Sequence, residues 1–247
     1  MTGDRVRMPV LVLLAGGQNA RMESLRGTIY KGFLPIHGAS LVARHALRAH
    51  AFGVPSVDVI VDEGDSVLSI LSSPAVERDI GEDELPGTPV RVLVNQGSPA
   101  EKIVWWCEQY GGPGHIVLVA LGDTLAAIDY IALVKAALSE EFDSAIGLAR
   151  VRLPFGEVQL AGERVCGFVE KPVLRTIVHT GHMALGARAL GLLRSGMSLP
   201  QMLSQLADQG VLMGWTGGEE GMIQVDSLEN LATAHQELRG RPPGKEW

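Results

Sequence analysis

Short apolar runs alternate with segments of helical periodicity along most of this chain. The first run, residues 10–14, is wholly apolar, which is typical of a strand buried on both faces of a parallel sheet. Similar runs predict further strands over residues 57–61, 90–94, 115–121, 144–149, 211–215 and 222–225. Apolar residues at helical spacing, together with capping residues and turn signals, predict helices over residues 40–52, 65–71, 99–110, 128–138, 199–208 and 227–238.

This alternation predicts an α/β fold with a Rossmann-like mixed, mostly parallel sheet and helices on both faces. The rhythm changes where residues 157–160 and 164–169 flank Ala161-Gly162-Glu163, a pattern that predicts an antiparallel hairpin insertion. Because the sequence contains no internal repeat and no linker, it indicates one domain over residues 1–247. Residues 72–89, which are acidic and rich in Pro and Gly, are expected to form a surface loop, and residues 239–247 a frayed tail.

Composition excludes some partners. The net charge of −7 argues against a nucleic-acid surface, which needs a basic stripe. The N-terminal residues lack a signal peptide and the apolar run after them is too short to span a membrane, so we expect a cytoplasmic protein with no membrane partner. Cys107 and Cys166 lie in apolar contexts and are expected to be buried free thiols. The oligomeric state stays open, and a homo-oligomer is one of the states allowed.

The loop after the first strand is the first candidate site. Paired glycines at Gly16 and Gly17 let the backbone approach a ligand, and exposed backbone N–H groups there suit phosphate. Arg21 and Lys31 follow and would suit a polyphosphate, so the pattern indicates a nucleotide site. The loop matches neither the dinucleotide fingerprint nor a Walker P-loop, and a tight turn without a ligand is an equal alternative for the glycine pair alone.

Two carboxylates suggest a metal site. Gly122-Asp123 ends an apolar strand and Asp226 follows another, and Mg²⁺ is typically bound by one or two protein carboxylates with substrate phosphate. Either aspartate could instead cap the helix that follows. His179 and His182 are not interpreted as a metal pair, because no Cys or further His lies at ligand spacing.

A lysine at the end of the hairpin is the third candidate. In Glu170-Lys171-Pro172, the proline fixes the local backbone and bars Lys171 from a helical conformation. A lysine held at a strand end can point into a cleft, although a solvated turn is the simpler interpretation of an isolated Glu-Lys pair.

The order of these motifs resembles that of the sugar-1-phosphate nucleotidyltransferases. Their pattern begins LAGGxGTRL, continues with KPLLPI ten residues after the arginine, and then has a GD pair, an EKP and a late aspartate. This chain has LAGGQNARM, KGFLPI, LGDTL, PFGEVQLAGERVCGFVEKP, HTGHMAL and VDSLENLATAH in that order. The resemblance spans residues 10–235, and its specific parts are the GG…R…K and EKP blocks.

The resemblance implies transfer of a nucleoside monophosphate from a nucleoside triphosphate to a sugar or cyclitol phosphate, with release of pyrophosphate and a need for Mg²⁺. It implies nucleotide contacts from Ala15, Gly16, Gly17, Gln96 and Gly122, and a metal site at Asp123 and Asp226. It implies that Arg21 neutralises pyrophosphate, Lys31 contacts the α-phosphate and Lys171 binds the acceptor phosphate. The sugar pocket would be lined by Gly156, Glu170, His179 and Gly181. Residues up to about 125 would form the nucleotide-binding half, and residues 126–240 the acceptor-binding half.

Departures from the family pattern leave alternatives open. Asn19-Ala20 replaces the usual Gly-Thr, Gly32 replaces a proline, and His179 replaces an asparagine. The KGFLPIHGASLVARHAL stretch also resembles cytidylyltransferases that activate polyol phosphates. The remaining alternative is a protein that is not an enzyme: a catalytically silent relative that binds a nucleotide and acts as a regulatory subunit.

Overall fold

The computed structural model describes residues 8–16, 31–62, 89–111, 115–153, 155–217 and 222–246, and of Lys31 the backbone only. Gly17, Arg21 and the helix predicted over residues 65–71 lie outside the described residues, as does nearly all of the loop predicted over residues 72–89.

The described strands and helices follow each other in the predicted alternation. The strands are β1 (Leu11–Leu14), β2 (Pro35–Ile36), β3 (Ala39–Ser40), β4 (Val57–Val61), β5 (Val90–Val94), β6 (Val117–Leu121), β7 (Thr124–Ala126), β8 (Ser144–Arg152), β9 (Glu157–Ala161), β10 (Arg164–Val169), β11 (Val173–Leu185), β12 (Leu212–Thr216) and β13 (Met222–Gln224). The helices are α1 (Leu41–Ala51), α2 (Pro99–Tyr110), α3 (Tyr130–Ala137), α4 (Ala187–Leu192), α5 (Leu199–Asp208) and α6 (Leu228–Glu237), with a short 3₁₀ helix at Lys31–Phe33.

Seven strands form the main sheet, in the order β12-β8-β11-β6-β1-β4-β5. Neighbours pair in parallel except at β11, which runs antiparallel to both β6 and β8. In the centre, Leu13 of β1 pairs with Val59 of β4 and with Ala120 of β6, and all three side chains are fully buried. The mixed, mostly parallel sheet predicted from the sequence is confirmed.

Helices cover both faces of this sheet. One face packs on α1 and α3, which bury residues such as Ala46 and Leu133. The other face packs on α2, α4 and α5, which bury residues such as Ile103 and Met202. Each of these helices therefore buries one side against the sheet, as amphipathic helices do, although on α1 the buried side chains also include Arg44, His45 and Arg48.

The antiparallel strand β11 and the short helix α4 were not predicted. The polar residues of β11, among them Arg175, Thr176 and His182, hide the strand pattern, yet β11 pairs on both sides. Buried Thr180 shows why polar residues are tolerated there, since its hydroxyl donates to the carbonyl of Gly147 at 3.0 Å. A buried hydroxyl with a partner costs little compared with an unpaired one.

The hairpin insertion is confirmed as β9 and β10, which form a two-stranded sheet of their own. The thiols are free, as expected, but the expectation that both are buried is wrong for Cys166, which is exposed on β10. Cys107 is partly buried on α2, and burial raises the pKa of its thiol to about 11.

A third apolar cluster joins the C-terminal helix to the short strands. Leu238, which follows α6, is buried in the same cluster as Ile36 of β2 and Leu125 of β7. Ile223 of β13 and Val225, which follows β13, also belong to this cluster. The cluster therefore links the segments that follow Lys31 and Asp123 to the segment that precedes Asp226.

The expectation of a frayed tail is wrong over its described part. Glu246 is buried and accepts from Nη1 of Arg44 on α1 at 2.8 Å, with both side chains fully inaccessible to solvent. Arg44 also donates through Nη2 to the carbonyl of Ile36 at 2.6 Å. The tail is held because Glu246 neutralises a buried guanidinium, and a composition rich in Pro and Gly gives no indication of this.

Candidate functional site

The carboxyl ends of three parallel strands meet at one edge of the sheet. Ala15 after β1 donates its backbone N–H to Ile60 of β4 at 2.8 Å, and Gly122 after β6 donates to Leu14 at 2.9 Å. A Cβ on Gly122 would lie 3.2 Å from the Cβ of Ala15, so the close approach of these two loops favours glycine. In open α/β sheets, ligands bind at this edge.

A cavity of about 280 Å³ opens at this edge. Its lining includes Gly16 and Asp123, both predicted as site residues, and it also includes residues that the sequence reasoning missed. The full lining is Leu14, Gly16, Asp62, Gly97, Pro99, Lys102, Leu121, Asp123 and Leu199. The volume is near the lower end of the range for small-molecule sites, about 300–1,000 Å³.

Asp123 and Asp226 are brought together by backbone pairing. Strand β13 pairs antiparallel with β7, Gln224 opposite Thr124, and the backbone N–H of Val225 donates to the carbonyl of Asp123 at 2.9 Å. Asp123 therefore precedes the paired Thr124 by one position, and Asp226 follows the paired Gln224 by two.

Neighbouring side chains hold both carboxylates. The hydroxyl of Thr124 donates to Asp123 Oδ1 at 3.2 Å, and Nε2 of Gln224 donates to Asp226 Oδ2 at 2.7 Å.

Neither aspartate caps a helix. Asp123 precedes β7, and the cap of α3 is Asp129, whose carboxylate accepts from the N–H of Ala132. The cap of α6 is Ser227 rather than Asp226. The alternative that Asp123 or Asp226 caps the following helix is therefore wrong for both residues.

An ion pair between Lys102 and Asp62 forms one wall of the cavity. Lys102 lies in the first turns of α2 with its side chain 5% exposed, Asp62 follows β4, and Nζ lies 2.5 Å from Oδ1. The signal in the sequence was a lysine on the core-facing side of an amphipathic helix, beside buried Ala100, Ile103 and Trp106. An acidic residue directly after a buried strand was the second signal.

Other predicted nucleotide contacts are only partly described. Gln96 lies between β5 and α2, next to Gly97 of the cavity wall. The backbone of Lys31 begins the 3₁₀ helix that leads into β2. Gly17 and Arg21 lie outside the described residues, so their roles stay predictions.

The residues predicted for the acceptor fall into two groups. Gly181 of β11 lies beside the end of β6, where a Cβ would be 3.1 Å from Leu121, and its φ of +80° favours glycine. His179 precedes it on the same strand. Burial lowers the pKa of His179, and its Nε2 has no hydrogen-bond partner among the described residues. Its ring is therefore neutral at neutral pH, and His179 does not line the cavity.

The second group lies at the base of the hairpin. A Cβ on Gly156 would collide with the ring of Phe168, while Glu170 and Lys171 are exposed. Lys171 adopts a φ of +46°, outside the right-handed helical region as its Pro172 neighbour predicts, and its carbonyl accepts from Arg152 at 3.1 Å. Lys171 precedes Gly181 by ten residues, up to about 30 Å of extended chain. None of the three residues predicted for the acceptor here, Gly156, Glu170 and Lys171, lines the cavity.

Two negative findings concern the described residues alone. They contain no cluster of three or more His, Cys, Asp or Glu side chains placed to hold a metal ion. Over the same ranges, no helix has the length and hydropathy needed to cross a membrane.

The strand order, the single antiparallel strand of the main sheet and the cavity at the carboxyl edge define a Rossmann-like α/β fold. No protein-family model matches the chain, and no curated protein matches its sequence. Solved structures do match. A Bacillus anthracis protein described as a glucose-1-phosphate thymidylyltransferase, in complex with sucrose, superposes with a TM-score of 0.72 at 18% identity, covering 96% of this chain and 98% of its own.

Two further structures have the same fold. The inositol-1-phosphate CTP transferase from T. maritima superposes with a TM-score of 0.63 at 20% identity, covering 95% of this chain and 97% of its own. HddC from Yersinia pseudotuberculosis superposes with a TM-score of 0.64 at 19% identity, covering 94% of this chain and 100% of its own. At these identities the likeness is one of fold, and it confirms the fold class predicted from the sequence.

Proposed function

We propose that this protein is a nucleotidyltransferase that moves a nucleoside monophosphate from a nucleoside triphosphate to a sugar-1-phosphate or cyclitol phosphate. One observation carries the proposal. A glycine of the first loop and Asp123 line the same cavity, and backbone pairing brings Asp226 beside Asp123. The fold shared with a thymidylyltransferase and a CTP transferase supports it.

The two aspartates fit a magnesium site. Their carboxylates are hard oxygen ligands, and Mg²⁺ is typically held by one or two carboxylates together with substrate phosphate and water. Each lies beside a short strand, β7 or β13, and both strands contribute a buried residue to the third apolar cluster. Bound Mg²⁺ would supply positive charge to the phosphate oxygens of the triphosphate.

The remaining roles follow the residues of the family pattern. The backbone of Ala15, Gly16, Gly17 and Gly122 would bind the nucleotide with Gln96 near the base. Arg21 and Lys31 would neutralise the pyrophosphate and the α-phosphate. At the acceptor, His179 and Gly181 would contact the sugar or cyclitol, Gly156 and Glu170 would complete its pocket, and Lys171 would bind its phosphate.

The reaction needs positioning and charge neutralisation more than covalent help. An oxygen of the acceptor phosphate forms a bond to the α-phosphorus, and the bond from that phosphorus to the bridging oxygen of the β-phosphate breaks. Pyrophosphate leaves with the electron pair of that bond. In the roles proposed above, Arg21 and Lys31 would stabilise the negative charge that develops there.

A pyrophosphate-release screen tests the proposal. Each of the common nucleoside triphosphates is paired with a panel of sugar-1-phosphates, cyclitol phosphates and polyol phosphates, with and without Mg²⁺. We expect turnover for at least one pair, dependent on Mg²⁺. Turnover confined to a polyol phosphate with CTP would favour the cytidylyltransferase alternative, and nucleotide binding without turnover on any pair would favour the silent relative.

Two variants with matched controls assign the residues. Lys31→Ala and Asp123→Asn are each expected to lower turnover by about 100-fold or more, because each removes a charge from the phosphate site. Lys135→Ala and Asp208→Asn, which change exposed side chains on α3 and α5, are expected to leave turnover unchanged. Wild-type rates in Lys31→Ala or Asp123→Asn would contradict the assignment.

A further inference from the structure

The proposed activity leaves the base of the nucleotide open, and the fold does not fix it, because one similar structure is a thymidylyltransferase and another a CTP transferase. The cavity wall formed by Lys102 and Asp62 is the part of the site that none of the family motifs covers. It lies on the nucleotide side of the site, between the carboxyl end of β4 and the start of α2.

The ion pair lies directly on the first glycine loop. A Cβ on Gly16 would be 2.5 Å from Nζ of Lys102 and 2.6 Å from Oδ2 of Asp62. Any side chain at position 16 would therefore displace the pair. The glycine thus does more than permit a turn, because it brings the loop backbone into contact with a charged pair at the cavity wall.

The charge of this wall indicates what it can bind. Lys102 is almost completely buried and Asp62 is partly exposed, so the pair presents a hydrogen-bond donor and an acceptor with no net charge. A phosphate would be repelled by the carboxylate of Asp62, and the phosphate chain has a candidate partner elsewhere, in the Mg²⁺ that Asp123 and Asp226 would hold. An uncharged, flat group with alternating donors and acceptors suits the pair, and a nucleobase edge is such a group.

The pair also has unused hydrogen-bonding capacity. A lysine ammonium carries three N–H donors and a carboxylate offers about four lone-pair positions. Asp62 Oδ1 takes one donor of Lys102, and over the described ranges neither group has another hydrogen-bond partner. An edge that accepts from the ammonium and donates to both carboxylate oxygens would bring two of the three donors and three of the roughly four lone-pair positions into use.

We propose that Lys102 and Asp62 bind the Watson–Crick edge of guanine, which makes GTP the preferred nucleotide. Guanine places the O6 acceptor beside two donors, N1–H and N2–H, so that O6 accepts from Lys102 while both N–H groups donate to Asp62. This inference rests on the proposed nucleotidyl transfer, since it assigns the base of the same substrate.

The other bases match the pair less well. Adenine and cytosine offer one amino group beside a ring nitrogen, so one carboxylate oxygen stays without a donor. Uracil and thymine offer one N–H between two carbonyls, and the second carbonyl would face the carboxylate. Sites that hydrogen-bond a substrate group reject analogues that lack it, because the buried partner is left unpaired.

Nucleotide binding measured by calorimetry tests the proposal, with GTP, ATP, CTP, UTP, dTTP and ITP as probes. ITP is guanosine triphosphate without the 2-amino group, so the GTP-to-ITP ratio reports the contact of that group with Asp62. In the wild-type protein, we expect GTP to bind about tenfold or more tightly than ITP, the loss typical of one hydrogen bond to a charged group. We also expect GTP to bind more tightly than the other four.

The variants separate recognition of the base from a structural role. In Asp62→Asn, the GTP-to-ITP ratio is expected to fall towards one, and Lys102→Met is expected to lower GTP binding more than CTP binding. Lys135→Met, an exposed lysine on α3, is the matched control and should change neither. If the pair is only structural, all nucleotides weaken together and the ratio stays at its wild-type value, which overturns the proposal.

The wild-type measurement stands even where a variant does not fold. Preference for any base other than guanine, or equal binding of GTP and ITP, overturns the base assignment while nucleotidyl transfer remains supported by turnover with the preferred nucleotide. Absence of binding to every nucleotide, with no pyrophosphate release, overturns both the base assignment and the proposed function.

Discussion

Substituting Glu246 with glutamine is expected to destabilise the protein strongly, because it leaves the charge of Arg44 buried without its counter-ion. The two side chains are fully inaccessible to solvent and lie 2.8 Å apart. Glu246 Oε1 also accepts from the backbone N–H of Gly244 at 2.9 Å. A neutral amide could still accept these hydrogen bonds, so the substitution removes the charge while changing the shape little.

The magnitude follows from the burial. Breaking a buried ion pair by removing one partner costs about 3–5 kcal/mol, and a domain of this size loses roughly 2–4 °C in Tm per kcal/mol. Glu246→Gln is therefore expected to lower Tm by roughly 6–20 °C. Glu163→Gln, in the exposed turn of the hairpin, is the matched control and is expected to change Tm by no more than about 2 °C.

Urea unfolding of a double-mutant cycle isolates the pair from its surroundings. Arg44→Met and Glu246→Met are each expected to be destabilising, whereas the double variant should recover most of the loss, because apolar residues of similar volume often replace a buried ion pair at little cost. If Glu246→Gln unfolds at the wild-type urea concentration, or if the two methionine substitutions are simply additive, the tail does not depend on this ion pair.

Two further predictions concern pH and the glycine loop. Burial lowers the pKa of His45 to about 4 from 6.5, so the unfolded state binds more protons between these values and stability falls as the pH drops below 6.5. We expect this one histidine to lower the free energy of unfolding by about 2 kcal/mol between pH 7 and pH 5. Urea titrations at both pH values should show a smaller difference for His45→Gln, and an unchanged difference would contradict this reasoning. Gly16→Ala is expected to weaken nucleotide binding about tenfold or more, because its Cβ would displace Lys102. Gly191→Ala, whose Cβ meets no atom within 4 Å, is the calorimetric control, and equal affinity in the two variants would contradict the role of Gly16.

The three central strands β1, β4 and β6 could be predicted because burial on both faces leaves a continuous or nearly continuous apolar run. Strand β4 is an instructive case, since Asp58 interrupts it and is almost fully buried. Its carboxylate is satisfied by Nε of Arg91 at 2.9 Å and by the indole N–H of Trp106 at 2.6 Å. One polar residue in a strand is tolerated when neighbouring elements supply its partners, so a prediction based on the whole run was still correct.

The parts that escaped prediction depend on contacts between distant residues. Nothing near Glu246 in the sequence indicates that its partner is Arg44, which lies 202 positions earlier. The partner of Lys102 likewise lies 40 positions away, in Asp62. A charged residue signals its burial only through the spacing of apolar neighbours, and that spacing does not reveal what neutralises the charge.

The C-terminal segments contact both the segment after Lys31 and the segment after Asp123. They therefore connect the two proposed functional halves. Strand β13 pairs with β7, which lies at the expected boundary near residue 125, and α6 packs on Ile36 in the segment after Lys31. The carboxylate of Glu246 reaches the same segment through Arg44, which donates to the carbonyl of Ile36. A substitution at Glu246 can therefore alter the position of the Lys31 segment relative to Asp123 and Asp226 through Arg44 and Ile36. Variants in the tail need turnover and stability measured together, because a loss of activity at unchanged Tm would show that the tail positions the phosphate site as well as stabilising the fold.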